Sequence, residues 1–251
     1  MQTLGNFQKL AQAYRSGRRG FDEKIFEVLI QQINGLNGKR VLDVGCGTGI
    51  ATRQLAQLGA EVVGSDISDE MIAEARQDSV GIEYVVNPSH KIPFTDGAFD
   101  LITAFSAFHW FTDSDSINEI KRVLKSGGSF AVINKNDVTG IRKDVNELFA
   151  KYRESHSSKQ DYNPEKILED SGFEPVVTHA IASTEIYTPE QALIFLQSIA
   201  LWNLVPENEK EEMLRKVKSF CGDTLKQEGV LKREIETVVV IGLLTSSSKG
   251  V

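Results

Sequence analysis

Residues 40–50 read Arg40-Val41-Leu42-Asp43-Val44-Gly45-Cys46-Gly47-Thr48-Gly49-Ile50. The stretch begins as a short apolar run, which is typical of a strand buried on both faces of a parallel sheet. Three glycines at alternating positions follow, and a helical pattern of apolar residues begins at Ile50. A strand, a tight glycine turn and a helix predict the first crossover of a doubly wound α/β sheet. Ligands of such sheets bind where strand carboxyl ends meet helix amino ends.

The spacing of the glycines separates two classes of ligand. A dinucleotide fingerprint, G-x-G-x-x-G, would place its third glycine where this chain has Ile50. Asp43 stands two residues before the first glycine, where it would repel a pyrophosphate. A ligand with a cationic end and no phosphate fits Asp43, Gly45 and Gly47 better. We therefore predict a site for S-adenosylmethionine, which carries an ammonium, a sulfonium and an adenosine. An NAD-linked oxidoreductase is the alternative.

Residues 42–49 resemble the first motif of the class I S-adenosylmethionine-dependent methyltransferases, whose usual form is close to L-D-x-G-C-G-T-G. The resemblance extends through His109-Trp110-Phe111 and is greatest to the small-molecule subgroup (methyltransferase type 11 domain) that contains trans-aconitate methyltransferase. It implies a Rossmann-like, doubly wound seven-stranded sheet. That sheet is mostly parallel, its last strand is antiparallel and lies between the fifth and sixth, and helical insertions form a lid. The family often has a cysteine at this position of the cofactor loop, where it packs as a small residue, and the resemblance implies the same role for Cys46.

A second strand over 61–67 ends in Asp66, about twenty residues after the glycines, where a carboxylate can accept both ribose hydroxyls. The alternative for Asp66 is a helix cap, but Ser68 and Asp69 already serve the next helix in that role. Ile67 and Met71 are predicted to border the adenine, although both also suit an ordinary core.

The adenine side departs from the family pattern, which usually reads Asp-Ala-Glu-x-Leu-Pro-Phe after the third strand. Pro88 stands in place of the first acid. We therefore expect Asn87, Ser89 or backbone groups to bind the adenine, and Phe105, at the end of the fourth strand, to contact the cofactor.

Candidate acceptor-binding residues lie in three places. Tyr14 and Arg18 fit an N-terminal segment of the family in which an arginine follows an aromatic residue, so Arg18 is predicted to hold a carboxylate; a solvated basic turn is the alternative. His109 is either a catalytic base or hydrogen-bond donor, or a structural residue beside Trp110. Trp202 lies on one predicted helix face with Phe195 and Ile199. This pattern is compatible either with core packing or with contact between Trp202 and the substrate.

The predicted organisation is an N-terminal helical lid over 1–35 and an S-adenosylmethionine-binding core over 36–136. Lid insertions with the sixth strand follow over 137–230, then the final strand over 231–245 and a disordered tail over 246–251. Within these segments we predict helices over 7–16 and 22–35 and a fifth strand over 129–134. A helix starting at the Thr188-Pro189-Glu190-Gln191 cap carries Phe195, Ile199 and Trp202, and a charged helix covers about 207–227.

Composition narrows the class further. The chain has 251 residues and a net charge of −7, which disfavours a nucleic-acid backbone as the main partner. Its two cysteines predict neither a disulfide framework nor a zinc cluster, so no metal is expected. No apolar run is long enough to cross a membrane, and the N-terminus lacks a signal-peptide core. We expect a cytoplasmic monomer or homodimer.

The predicted reaction is in-line transfer of a methyl group to a small molecule, possibly to a carboxylic acid oxygen, with S-adenosyl-L-homocysteine as the product. A carboxylate acceptor needs no base, whereas a hydroxyl or carbon acceptor would use His109. A nucleic-acid methyltransferase is disfavoured, because an Asn/Asp-Pro-Pro-Tyr-like signature is missing after the fourth strand. A non-catalytic protein that binds S-adenosylmethionine remains a further alternative.

Overall fold

The computed structural model of the chain describes residues 17–77, 79–153 and 162–245. The predicted helix over 7–16, including Tyr14, and the predicted disordered tail over 246–251 lie outside the described residues.

The described residues form a seven-stranded sheet in the order β3-β2-β1-β4-β5-β7-β6, which confirms the predicted fold class. The strands are β1 (Arg40–Val44), β2 (Glu61–Asp66), β3 (Glu83–Val86), β4 (Phe99–Phe105), β5 (Leu124–Gly140), β6 (Val176–Tyr187) and β7 (Leu231–Leu243). The pairs β1–β2, β2–β3, β1–β4 and β4–β5 are parallel. Leu243 exchanges backbone hydrogen bonds with Glu174 and Pro175 just before β6, so β7 runs antiparallel to β6. As predicted, it lies between β5 and β6.

The main helices connect these strands. They are α1 (Glu23–Ile33), α2 (Ile50–Gln57), α3 (Asp69–Gln77), α4 (Ser114–Val123), α5 (Ile141–Asp144), α6 (Ala150–Arg153), α7 (Pro164–Asp170), α8 (Pro189–Gln197), α9 (Ala200–Asn203) and α10 (Lys210–Glu228). Short 3₁₀ turns cover Phe108–Trp110, Val145–Phe149 and Glu207–Glu209. The predicted cap of α8 is confirmed, since Thr188 and Gln191 form a reciprocal capping box with Pro189 in the first turn.

Two predicted boundaries are wrong. The fifth strand extends beyond 129–134 at both ends, from Leu124 to Gly140, because polar residues are accommodated on a strand whose backbone is hydrogen bonded. The helix starting at Pro189 is broken after Gln197, and Ile199 becomes the amino cap of α9 with an extended backbone. Phe195 and Ile199 are fully buried, as core packing requires.

Neighbouring strand residues enter two apolar layers on opposite sides of the sheet, as the alternation of side chains along a strand dictates. The layer that includes α1 and α2 contains Val41, Leu101, Ala131 and Val239. The layer that includes α4 and α7 contains the next residue of each strand, namely Leu42, Ile102, Val132 and Val240. The parallel strands are therefore covered on both faces and leave only their ends for ligands.

The chain divides into two compact units. Within the described residues, the core unit comprises 20–77, 79–135, 162–181 and 237–245, and the smaller unit comprises 17–19, 136–153 and 182–236. The smaller unit has an apolar cluster of its own, which contains Phe149, Phe195, Ile199, Met213 and Val217.

Candidate functional site

The glycine loop between β1 and α2 is attached to the end of β2. The backbone N–H groups of Gly45 and Cys46 both donate to the Ser65 carbonyl, at 2.7 and 3.0 Å. Gly49 is the amino cap of α2 and has a φ of 74°. The loop therefore lies at the carboxyl edge of two neighbouring strands, where doubly wound sheets bind their ligands.

Gly45 and Gly47 differ in what lies beside them. Gly45 has a φ of 70°, and a Cβ there would stand 2.6 Å from the Ala107 Cβ. Gly47 has a φ of 54°, and a Cβ there would meet nothing within 4 Å. Gly45 therefore permits tight packing beneath the loop, whereas Gly47 leaves open space at the surface of the loop, where a ligand can approach the backbone.

Asp43 lies beneath this loop. Its side chain is fully buried and accepts hydrogen bonds from the hydroxyls of Thr52, at 2.7 Å, and Thr103, at 2.9 Å. Burial raises its pKa to about 6, and the two hydroxyls oppose that shift only in part. The described contacts of Asp43 thus join β1, α2 and β4 under the cofactor loop.

Asp66 ends β2 with its carboxylate held by backbone groups. Its Oδ2 accepts from the Gly47 N–H and its Oδ1 from the Ser68 N–H, both at 2.9 Å. Burial raises the pKa of Asp66, and these N–H groups counteract the shift. An ionised carboxylate has about four acceptor sites, so two remain for the hydroxyls of a ribose.

Two unused acceptors lie beyond β3, next to Asp66. The Asn87 N–H donates to the Asp66 carbonyl at 3.0 Å, and Asn87 Nδ2 donates to the Pro88 carbonyl at 3.1 Å. The Asn87 Oδ1 is buried and accepts no hydrogen bond from any described residue. Ser89 Oγ lies 2.9 Å from Ser116 Oγ, whose own proton goes to Asp113, so the Ser89 hydroxyl donates to Ser116 and keeps its acceptor capacity.

The remaining residues predicted to contact the cofactor differ in exposure. Ile67 is 56% exposed directly after Asp66, which is unusual for a large apolar side chain. Met71 is buried, and the Phe105 ring packs in the core against Phe21 and Phe26, at 4.7 and 5.9 Å between centroids. The Phe105 ring therefore belongs to the apolar layer that includes α1 and α2.

Cys46 has a packing environment. It is half-buried against the small apolar cluster of Ile72, Ala75 and Tyr84. Burial, followed by the nearby carboxylates of Asp43 and Asp66, raises the pKa of its thiol. A thiol that stays protonated is a weak nucleophile.

A polar and aromatic group lies past the carboxyl end of β4, beside the middle of β5. His109 and Trp110 belong to the 3₁₀ turn after β4, with ring centroids 4.9 Å apart, and Trp110 is 60% exposed. Tyr162 lies edge-on to His109, at 6.1 Å between centroids. Its hydroxyl oxygen accepts from Asn134 Nδ2 at 3.2 Å. Asn134 and Tyr162 were not predicted as site residues, because neither stands in a recognisable motif.

Ser106 is a further residue that sequence reasoning missed. It is exposed directly after β4 and has a φ of 54°, in the left-handed region that non-glycine residues rarely occupy. Its N–H donates to the Ile133 carbonyl at 2.7 Å, which fixes this backbone at the strand end. Such conformations are concentrated at functional sites.

Two predicted acceptor residues belong to the smaller unit. Arg18 is half-buried, its Nη2 donates to the Ser198 carbonyl at 3.1 Å, and its guanidinium lies 5.5 Å from the centre of the Phe195 ring. Arg19 is exposed and lies 4.3 Å from the centre of the Tyr187 ring. Trp202 is half-buried against the apolar cluster of the same unit.

Residues 42–132 match the methyltransferase domain family, and this match begins at β1 and includes the glycine loop, Asp66 and His109. These residues therefore carry a methyltransferase domain of the class I type, and the chain is an S-adenosylmethionine-dependent methyltransferase. Its cofactor is S-adenosylmethionine and not NAD. The open face of Gly47 and the acceptor atoms of Asp66, Asn87 and Ser89 are compatible with this ligand.

This methyltransferase is similar to proteins from several organisms. An uncharacterized methyltransferase-like protein of Schizosaccharomyces pombe is 26% identical over 176 residues, which cover 69% of each chain. Malonyl-[acyl-carrier protein] O-methyltransferase of Enterobacter lignolyticus is 34% identical over 106 residues, covering 42% of each chain. The fold resembles that of phosphoethanolamine N-methyltransferase 2 of Haemonchus contortus, solved with phosphomonomethylethanolamine and S-adenosylhomocysteine. The TM-score is 0.58 at 19% identity, with 97% of this chain and 58% of the other covered.

In the described part of the methyltransferase, no cluster of His, Cys, Asp and Glu side chains could hold a metal ion. None of the helices described is both long and apolar enough to cross a membrane.

Proposed function

We propose that the chain transfers the methyl group of S-adenosylmethionine to a small carboxylic acid, on oxygen. The observation that carries this proposal is the group of His109, Trp110, Asn134 and Tyr162 at the carboxyl end of β4, beside β5. It offers aromatic walls and neutral hydrogen-bond donors beside the cofactor loop. One relative is named for O-methyl transfer to a malonyl group, which ends in a carboxylate.

The cofactor would be held in the core unit by contacts of known chemical type. The open face of Gly47 admits the ligand to the loop, and Asp66 accepts the ribose hydroxyls. Asn87 Oδ1 and Ser89 Oγ accept from the amino group of adenine, and the exposed Ile67 covers its ring. Asp43 adds negative charge beneath the loop, which favours a cationic ligand.

When bound, the cofactor supplies a methyl carbon activated by a sulfonium. A carboxylate acceptor is already ionised at neutral pH, so the protein needs only to orient it and to exclude water. Orientation of this kind can contribute about 7–11 kcal/mol to lowering a barrier. His109 would then orient the acceptor, and it would act as a base only for a hydroxyl or carbon acceptor. Trp110 would contact the acceptor through its exposed ring.

Calorimetry with two ligands tests whether Asn87 and Ser89 bind the adenine amino group. S-adenosylhomocysteine has the 6-amino donor, whereas S-inosylhomocysteine has a 6-oxo acceptor that would face Asn87 Oδ1 and Ser89 Oγ. The wild type should bind the inosyl ligand at least about tenfold more weakly, because an unpaired acceptor remains buried. In Asn87→Leu the ratio of the two dissociation constants, inosyl to adenosyl, should be smaller. An unchanged ratio in Asn87→Leu would assign adenine recognition to other groups.

The acceptor class is tested by turnover against a panel. The panel contains fatty acids, malonate, succinate, citrate and benzoate, with matched amines, alcohols and phenols. We expect mass spectrometry to find a methyl ester of at least one acid together with S-adenosylhomocysteine. Methylation of an amine or a carbon acceptor alone would reject the carboxylate, and no transfer to any compound would favour a non-catalytic binding protein.

Arg18 offers a matched test of carboxylate binding. Arg18→Lys removes the planar fork that pairs with two carboxylate oxygens, and Arg19→Lys makes the same change at an exposed neighbour. The KM for the acid should rise about tenfold in the first variant and stay unchanged in the second. Equal KM values in the two variants would remove Arg18 from the acceptor site.

A further inference from the structure

Asn134 on β5 fixes the Tyr162 hydroxyl near the carboxyl end of β4. The β4–β5 register pairs Phe105 with Ile133, so Asn134 is the next residue along β5 at this edge. Its Nδ2 donates to the Tyr162 hydroxyl oxygen at 3.2 Å. Edge-on contacts of the Tyr162 ring with Phe108 and His109, each at 6.1 Å, restrict the phenol further.

The remaining hydrogen-bonding capacity of Tyr162 is that of a donor. Its oxygen accepts from Asn134, and its O–H donates to no residue that the structure describes. Burial raises the pKa of Tyr162 to about 12, so the phenol keeps its proton at neutral pH. Accepting a bond from an amide strengthens the O–H as a donor.

We infer that Tyr162 donates a hydrogen bond to one oxygen of an oxygen-acid acceptor, with Asn134 as the positioning residue. This inference rests on the proposed function and names two residues that select the acceptor. A carboxylate can accept at one oxygen from Tyr162 while its other oxygen receives the methyl group. An ammonium group offers no acceptor to the Tyr162 O–H, so this donor, held in place by Asn134, selects against protonated amines.

The first test is kinetic and uses the acid that the wild type methylates fastest. Tyr162→Phe should raise the KM for this acid about 10- to 100-fold, as expected for loss of a bond to a charged group, with a smaller change in kcat. Asn134→Asp should raise it similarly, because the new carboxylate accepts the Tyr162 proton. Affinity for S-adenosylhomocysteine should be unchanged in both variants. Tyr152→Phe, which deletes a phenol bonded to Glu209 in the smaller unit, is the control and should keep its KM.

The second test is spectroscopic and needs no variant enzyme to be active. With ¹³Cζ-labelled tyrosine, the five tyrosines give five resonances, and the one missing in Tyr162→Phe is that of Tyr162. The acid, added with S-adenosylhomocysteine, should shift this resonance. An unmoved resonance, or an unchanged KM in Tyr162→Phe, would overturn the inference while the methylation of acids stands. If the wild type methylates only amines or carbon acids, the proposed function and the inference both fail.

Discussion

Asp43 and Asp66 are carboxylates at the ends of neighbouring strands with different environments. Asp43 is enclosed and bonded to two hydroxyls, whereas Asp66 is at the surface edge and bonded to two backbone N–H groups. The first therefore supports the loop from beneath, and the second has acceptor capacity left for a ligand. Each environment leads to a separate prediction.

Asp66→Asn should weaken binding of S-adenosylhomocysteine about 10- to 100-fold. The amide can donate in the place where ribose hydroxyls need an acceptor, and the charge that strengthens those bonds is lost. Isothermal titration calorimetry measures the effect. The control is Asp69→Asn, which makes the same change at an exposed position in the first turn of α3. Equal affinities of the two variants would contradict the ribose role.

Asp43 should make stability depend on pH. Its pKa is raised by burial from 3.8 to about 6, so between these values the folded protein holds a proton that the unfolded chain has released. The free energy of unfolding should therefore rise as the pH falls from 7 to 5, by about 1 kcal/mol from this group. Asp43→Asn should lose this contribution, which urea unfolding at the two pH values would measure. A wild type and variant that respond identically to pH would show that Asp43 does not titrate there.

At the scale of elements, one arginine joins three strand segments of the smaller unit. Arg233 on β7 is 5% exposed and pairs with Asp137 on β5, at 2.5 Å, and with Glu185 on β6, at 3.3 Å. Its guanidinium also lies 4.9 Å from the centre of the Phe195 ring on α8. Paired charges of this kind are costly to separate once buried.

Arg233→Met should lower the free energy of unfolding by about 3–5 kcal/mol, because Asp137 and Glu185 would lose their main counterion inside the protein. Lys232→Met is the matched control on the same strand. It breaks only the exposed pair with Glu234, which should cost less than about 1 kcal/mol. Denaturant unfolding measures the free energy of unfolding of both variants. Similar decreases in the two would show that burial of the ion pair does not determine the loss of stability.

At the scale of the whole molecule, the cofactor should stabilise the folded chain. S-adenosylhomocysteine at about 100 times its Kd should add about 2.7 kcal/mol to the free energy of unfolding, since it binds only the folded state. The melting temperature should rise by several degrees, whereas NADH at the same concentration should leave it unchanged. Differential scanning calorimetry measures both. A larger rise with NADH would contradict the assignment of the cofactor.

Local patterns in the sequence determined the sheet and its cofactor. The apolar run, the glycine spacing and the acid ending β2 lie within a few residues of the features they specify, so short-range backbone preferences suffice to predict them. The family resemblance added the number of strands and the position of the last one, between the fifth and the sixth.

Tertiary structure alone decided which side chains meet. Thr103 on β4 donates to Asp43 on β1, and Tyr162 accepts from Asn134 on β5 across 28 residues of sequence. The left-handed backbone of Ser106 and the break after Gln197 likewise depend on neighbours that packing supplies. Burial and hydrogen bonding between residues far apart in the chain arise only when strands and helices pack, so a linear pattern does not contain them.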